Sequence, residues 1–195
     1  MQDKISVPNA ERRAAMRERL LTAARALFAE KGYAETSTPE IVKAAEVTRG
    51  ALYHHFDGKE ALFRAVVEAE AQAVTQAITA EGKVPGKEGL EAGGRAFFQA
   101  MAVSGRARIL LADGPAILGA DVMDEIDAGG GRGALRAGLA ATLTGAAPEE
   151  LDALSVVISA AFDRAALAIA TGAEAEPYET AMAALLRAAI NPAQQ

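Results

Sequence analysis

TSTPEIVKAAEVTRGALYHHFDGKEALFRAV, Thr36 to Val66, decides how the rest of the chain is read, because three helix starts follow one another within it. Thr38 before Pro39 reads as a cap and first turn: a hydroxyl accepts a free backbone N–H, and proline has none to leave unpaired. The helix predicted from it runs from about Pro39 to Ala45. Thr48 then caps a short helix to about His55, with Val47 and Leu52 pointing inward. Two short helices with so tight a join form a helix-turn-helix candidate. Asp57 and Glu60 stand in the Asp-x-x-Glu relation of a capping box, which opens a fourth helix to about Ala80, stopped by Gly82.

Upstream, Ala15, Met16, Leu20, Ala23, Ala24, Leu27 and Phe28 recur at helical spacing between an Asn9 cap and a Gly32 stop. Arg12, Arg13, Arg17 and Arg19 occupy its other faces. The chain is 51% hydrophobic but only 5% aromatic, and its Ala, Leu, Glu and Arg favour helix over sheet, so the expected fold is all-α. Its 195 residues suit a helix-turn-helix domain over 1–58 and a larger helical domain over 59–195, with the fourth helix, about 59–80, connecting them. The net charge of −6 divides unevenly: residues 1–64 hold 11 Lys+Arg against 9 Asp+Glu, and the remaining 131 hold 9 against 17. A weakly basic end on an acidic body permits phosphate contact at that end only.

Downstream the pattern stays helical. Helices are predicted over about 90–103, 106–112, 116–127 and 132–144, with a loop at Gly82–Gly89, a break at Asp113–Gly114–Pro115 and a flexible loop at Gly129–Gly131. Pro148 starts a long helix to about Thr171, and Pro177 the last, to about Ile190 before Asn191–Pro192. Residues 153–170 are the most apolar stretch, but Asp163 and Arg164 interrupt it, so it reads as a buried helix and no membrane partner is expected. Leu151, Leu154, Ile158, Ala161, Ala165 and Ala168 recur near a 3.5 spacing while other faces are apolar too, so this helix needs burial on two sides. With Tyr178, Met182, Leu185 and Leu186 it is a candidate half of a homodimer interface; the alternative is a monomeric core.

The opening run closely resembles the DNA-binding domain of the TetR family, and LLTAARALFAEKGY, Leu20 to Tyr33, resembles that family's first helix. The resemblance implies a homodimeric regulator, in the usual sense a repressor that a small, mainly apolar effector releases from double-stranded operator DNA with two-fold related half-sites. If Leu52, His55 and Phe56 face the small core, Arg49, Gly50, Tyr53 and His54 lie opposite and enter a major groove. Arg49 is the candidate base contact, since guanidinium donates two hydrogen bonds to guanine, and Gly50 lets the helix approach closely. Tyr53, His54 and Lys59 match family positions that commonly touch phosphates; Thr38 and Thr48 add hydroxyls near helix N-termini, or serve only as caps. Glu46 departs from the family pattern, where glycine is common in the inter-helix turn, and a left-handed backbone there is costlier for Glu.

In the family, the helices after the reading head enclose a pocket. Phe97, Phe98, Met101, Ile109, Leu110, Ile117, Met123 and Phe162 are the bulky apolar candidates to line it, each also readable as ordinary core. Asp113, Asp163 and Arg164 lie in apolar surroundings and read first as ion-pair members; one facing the pocket would orient a polar group on the ligand. No enzyme is expected: the two histidines are neighbours, there is no HExxH and no cysteine, and no cofactor or metal is implied. GGGRGA, 129–134, fits G-x-G-x-x-A only formally, because it follows MDEID and no strand. With no apolar leader in the first residues, a cytoplasmic location is expected. The competing reading is a helical dimer acting through protein contacts, its helix-turn-helix only structural.

Overall fold

The computed structural model describes residues 9–191, which are helical with no strand. In order the helices are α1 (Asn9–Lys31), α2 (Thr38–Ala44), α3 (Arg49–His55), α4 (Gly58–Glu81), α5 (Lys87–Met101), α6 (Arg106–Arg108), a π-helical turn (Ile109–Asp113), α7 (Gly114–Leu118), α8 (Ala120–Gly129), α9 (Gly131–Thr142), α10 (Pro148–Ala170) and α11 (Ala175–Ile190). The expected stop at Pro192 lies outside the described residues. Contacts divide the chain into two compact units, Met1–Val67 and Glu68–Gln195, and the division falls inside α4.

In the first unit, Leu20, Ala24 and Phe28 of α1 meet Ile41, Leu52 and Phe56 from α2 and its neighbours, and Leu62, Phe63, Val66 and Val67 of α4 complete a closed core. Phe28, Tyr33 and Phe63 form an aromatic trio with ring centroids 4.9 to 5.8 Å apart. The cap of α2 is Ser37 and not Thr38: Ser37 Oγ accepts from Glu40 N while Glu40 accepts from Ser37 N, a complete capping box. Thr38 therefore becomes the first helical residue and Pro39 the second, where a missing N–H costs nothing.

In the second unit, Leu90, Phe98, Leu139, Leu151, Ile158, Phe162, Met182 and Leu186 from α5, α9, α10 and α11 form one core. α10 is long and apolar enough by composition to cross a membrane, with mean hydropathy 1.7, but its Leu151, Ile158 and Phe162 face is packed into this core. Three boundaries differ from expectation. α5 starts at Lys87, because the chain leaves the loop at Gly86. The break expected at Asp113–Pro115 is a change of register: Gly114 N bonds Ile109 O in π fashion, which accommodates the N–H that Pro115 lacks, and the chain turns only at Gly119, φ 84°. The Gly129–Gly131 segment is not a loop, since α8 and α9 almost abut at Gly130.

Candidate functional site

The exposed face of α3 is set by its buried one. Leu52 is fully buried and Phe56 nearly so, which fixes the helix rotation. Arg49, Gly50, Tyr53 and His54 are then exposed, with Tyr53 48% accessible, and His55 is half-buried. The Arg49 guanidinium lies 5.6 Å from the centre of the Tyr53 ring one turn on. Thr48 caps the helix, its Oγ1 accepting from Ala51 N at 3.1 Å, and its own O–H remains able to donate. Burial first, then the charges of His54, Arg13 and Arg17, holds His55 below the ordinary imidazole range.

The turn before α3 carries the strain expected of it. Glu46 has φ 51°, alone among the described non-glycine residues in the left-handed region. Arg19 braces it, donating to Glu46 O at 2.9 Å and to Glu46 Oε2 at 3.4 Å. Lys59 is placed differently from its α3 companions: its ammonium donates to Tyr33 O and Thr36 O, both at 2.9 Å, and sits 4.0 Å from the Tyr33 ring centre. Two of its three donors thus close the α1–α2 connection, a role that sequence spacing did not signal. Lys31 and Glu40 add a half-buried pair at 2.7 Å; that hydrogen bond and those of Ser37 hold the Glu40 carboxyl down at about 2.

The second unit holds a cavity of about 890 Å³. Val74 and Ile78 of α4, Leu90 and Phe97 of α5, Met123 of α8, Leu135 of α9 and Phe162 of α10 line it, so its wall is mainly apolar. Of the residues expected there, Phe97, Met101, Leu110, Met123 and Phe162 do line it. Phe98, Ile109, Asp113 and Ile117 do not: Phe98 and Ile109 are buried in packing, and Asp113 pairs with Arg108 at 3.5 Å. Asp163, expected first as an ion-pair member, instead lines the cavity, and burial followed by the charge of Asp127 pushes its carboxyl up to about 7.

The dimer-face expectation needs a similar correction. Leu151, Ile158, Met182 and Leu186 lie in the chain's own core, and Leu154 and Ala161 are partly buried against it. The chain leaves exposed Tyr178 and Leu185 of α11 together with Val157 of α10, 65% accessible, which lies outside the 3.5-residue series.

Residues 20–66 match the family model described as bacterial regulatory proteins of the tetR family, and residues 87–192 match that of the tetracyclin repressor-like C-terminal domain. The chain is 45% identical over 51 residues to the HTH-type transcriptional regulator UidR of Escherichia coli K12, which is 26% of each protein. It is 31% identical over 86 residues to the HTH-type transcriptional repressor AcnR of Corynebacterium efficiens, 44% of this chain and 46% of that protein. These matches thus span less than half the length of either relative. The crystal structure of a TetR-family transcriptional regulator from Pectobacterium atrosepticum superimposes with a TM-score of 0.69 at 29% identity, covering 93% of this chain and 94% of that one.

Proposed function

The chain belongs to the TetR family, and on that premise we propose that it is a homodimeric repressor that releases operator DNA when a small, mainly apolar effector enters the cavity of its second unit. The observation that carries the DNA half of this reading is the division of α3: Leu52 and Phe56 are buried while Arg49, Gly50, Tyr53 and His54 are exposed together. Arg49 donates to guanine O6 and N7, which discriminates by about 1–3 kcal/mol. Tyr53, His54 and the hydroxyls of Thr38 and Thr48 meet phosphates, positioning α3 without reading sequence. Lys59 keeps one donor for a phosphate beyond the two it gives the α1–α2 connection.

Exposed apolar side chains on α10 and α11 seat a second copy through Val157, Tyr178 and Leu185, so that two heads meet two-fold related half-sites. α4 contributes to both units, and an effector that prefers one of its positions shifts operator affinity by no more than its differential affinity for the two states.

Selection of bound fragments from genomic DNA, followed by binding at several salt concentrations, tests the reading. Specific binding that weakens steeply with salt is expected, through counterion release. Arg49→Ala should flatten sequence preference at one position while retaining non-specific affinity. No preference for any fragment, or an Arg49→Ala variant that discriminates as well as the wild type, would overturn it.

A further inference from the structure

One carboxylate in the cavity wall is left without a counterpart. Asp163 lies on the cavity-facing side of α10 one turn beyond Ser159, and no hydrogen bond or ion pair reaches it among the described residues. A desolvated, unpartnered carboxylate is costly to the fold, and it persists where something other than the fold selects it. The charges around it do not supply a partner. Arg132, in the same wall, donates to the Asp124 carboxylate at 2.7 Å and to Asp127 at 3.2 Å, and gives a further bond to Asp124 O at 2.8 Å. Asp127 accepts from Ser159 Oγ as well, at 3.2 Å. One guanidinium therefore stands against two carboxylates, and Asp163 makes a third. Lys83 and Arg164 also border the cavity but are exposed to solvent, and Arg106 of the adjoining α6 is bound to Glu70 at 2.8 Å.

We propose that the cavity takes an amphipathic organic cation, its positive head against Asp163 and its apolar body against Phe97, Phe162, Met101 and Met123. The proposal rests on the effector-site reading above and narrows it to a ligand class. A neutral hydrogen-bond donor would satisfy Asp163 only as a partner, whereas a cation also offsets the uncompensated charge of the Asp124–Asp127 cluster. Phe97 and Phe162, with ring centroids 5.2 Å apart, put aromatic surface in the same wall, which favours an onium or ammonium group over an anion. The raised carboxyl of Asp163 adds a signature: a permanent cation binds the ionised form, so its affinity grows as pH rises through about 7.

Two ions of the same shape and opposite charge test this, tetraphenylphosphonium and tetraphenylborate, with the neutral dye N-phenylnaphthylamine as a probe of the cavity itself. Each is titrated into the full chain and into Asp163→Asn, which keeps the side-chain shape and removes the charge. The expected result is a preference for the phosphonium of about tenfold or more above the raised pKa, shrinking below it. In Asp163→Asn the preference disappears while the dye still binds and is still displaced. Equal affinity for the two ions, or a preference that survives Asp163→Asn, overturns the cation assignment and leaves the effector-site reading standing if the dye binds. Failure of all three probes to bind removes both.

Discussion

Replacing Gly50 with alanine separates the stability of α3 from its proposed contact with DNA. In the free protein the substitution is unhindered: a Cβ built at Gly50 meets only Thr48 Oγ1, at 3.9 Å, an ordinary contact, and the backbone needs no positive φ there. Alanine in a helix is favoured over glycine by about 0.5–1 kcal/mol. For a chain of this size that corresponds to a Tm roughly 2–4 °C higher per kcal/mol. Against DNA the sign reverses, because the methyl carbon stands about 1.5 Å out from Cα on the face that carries Arg49 and Tyr53. Where the backbone lies in the groove, that methyl must push the helix outward, at a cost of about 1–2 kcal/mol, which is roughly a 5- to 30-fold weaker Kd. Differential scanning calorimetry and fluorescence anisotropy at one fixed ionic strength read the two effects. A raised Tm with an unchanged or tighter Kd would refute the placement of Gly50 against the groove, and a lowered Tm would refute the account of it as an open helical position.

Glu46→Gly removes a left-handed penalty of about 1–2 kcal/mol and forfeits only an exposed contact with Arg19, since the Glu46 carbonyl still accepts from that guanidinium. The melting temperature should rise; a fall would mean that the side-chain pair outweighs the strain. Lys59→Ala deletes two charge-assisted bonds to Tyr33 O and Thr36 O and should lower stability by about 1–3 kcal/mol in urea denaturation, whereas an unchanged midpoint would leave Lys59 with no role in the fold. The pH dependence of Asp163→Asn has a fixed sign. The folded carboxyl titrates at about 7 against 3.8 in the unfolded chain, so the wild type loses stability as pH rises from 3.8 to about 7 and no further above that. The variant should therefore match the wild type in acid and exceed it in mild alkali, by at most about 4 kcal/mol at 1.4 kcal/mol per unit and by less where water enters the cavity; a difference constant across pH would refute the burial of that charge.

The first unit was legible because its signals are local. Caps, stops and the apolar spacing of Leu20, Ala24 and Phe28 act within one or two turns, so α1 to α4 fall within a residue or two of their predicted limits. One slip there, Thr38 for Ser37 as the cap of α2, came from weighing Thr-Pro against the Ser-x-x-Glu box that overlaps it, and the Asp57–Glu60 box expected to open α4 makes no hydrogen bond among the described residues. Further along, the breakers misled. Pro115 marks where the hydrogen-bond register changes, not where the helix stops, because a π turn absorbs the missing donor and Gly119 supplies the turn. Gly129–Gly131 reads as a flexible loop from composition alone. Yet a Cβ at Gly130 would stand 2.9 Å from Thr75 Oγ1 and 3.0 Å from Ile126 O, so the glycine there serves close packing at a helix junction.

The site residues divide along the same line. Which side of a short amphipathic helix meets solvent follows from its own pattern, and the exposed quartet on α3 is legible in the spacing of Leu52 and Phe56. Which side of an apolar helix meets which partner does not follow, because periodicity records a need for burial and not its supplier. α10 is apolar around most of its girth; the core takes Leu151, Ile158 and Phe162, the cavity takes Ser159 and Asp163, and Val157 is left over. Of the residues first assigned to a second copy, all but Tyr178 and Leu185 were thus already satisfied within the chain. The same competition accounts for Asp163. In a sequence, a lone carboxylate among alanines points first to an ion pair, since that is the commonest way to make such a charge bearable. Here Arg132, in the same cavity wall, is already bound by Asp124 and Asp127, and among the described residues no ion pair reaches Asp163.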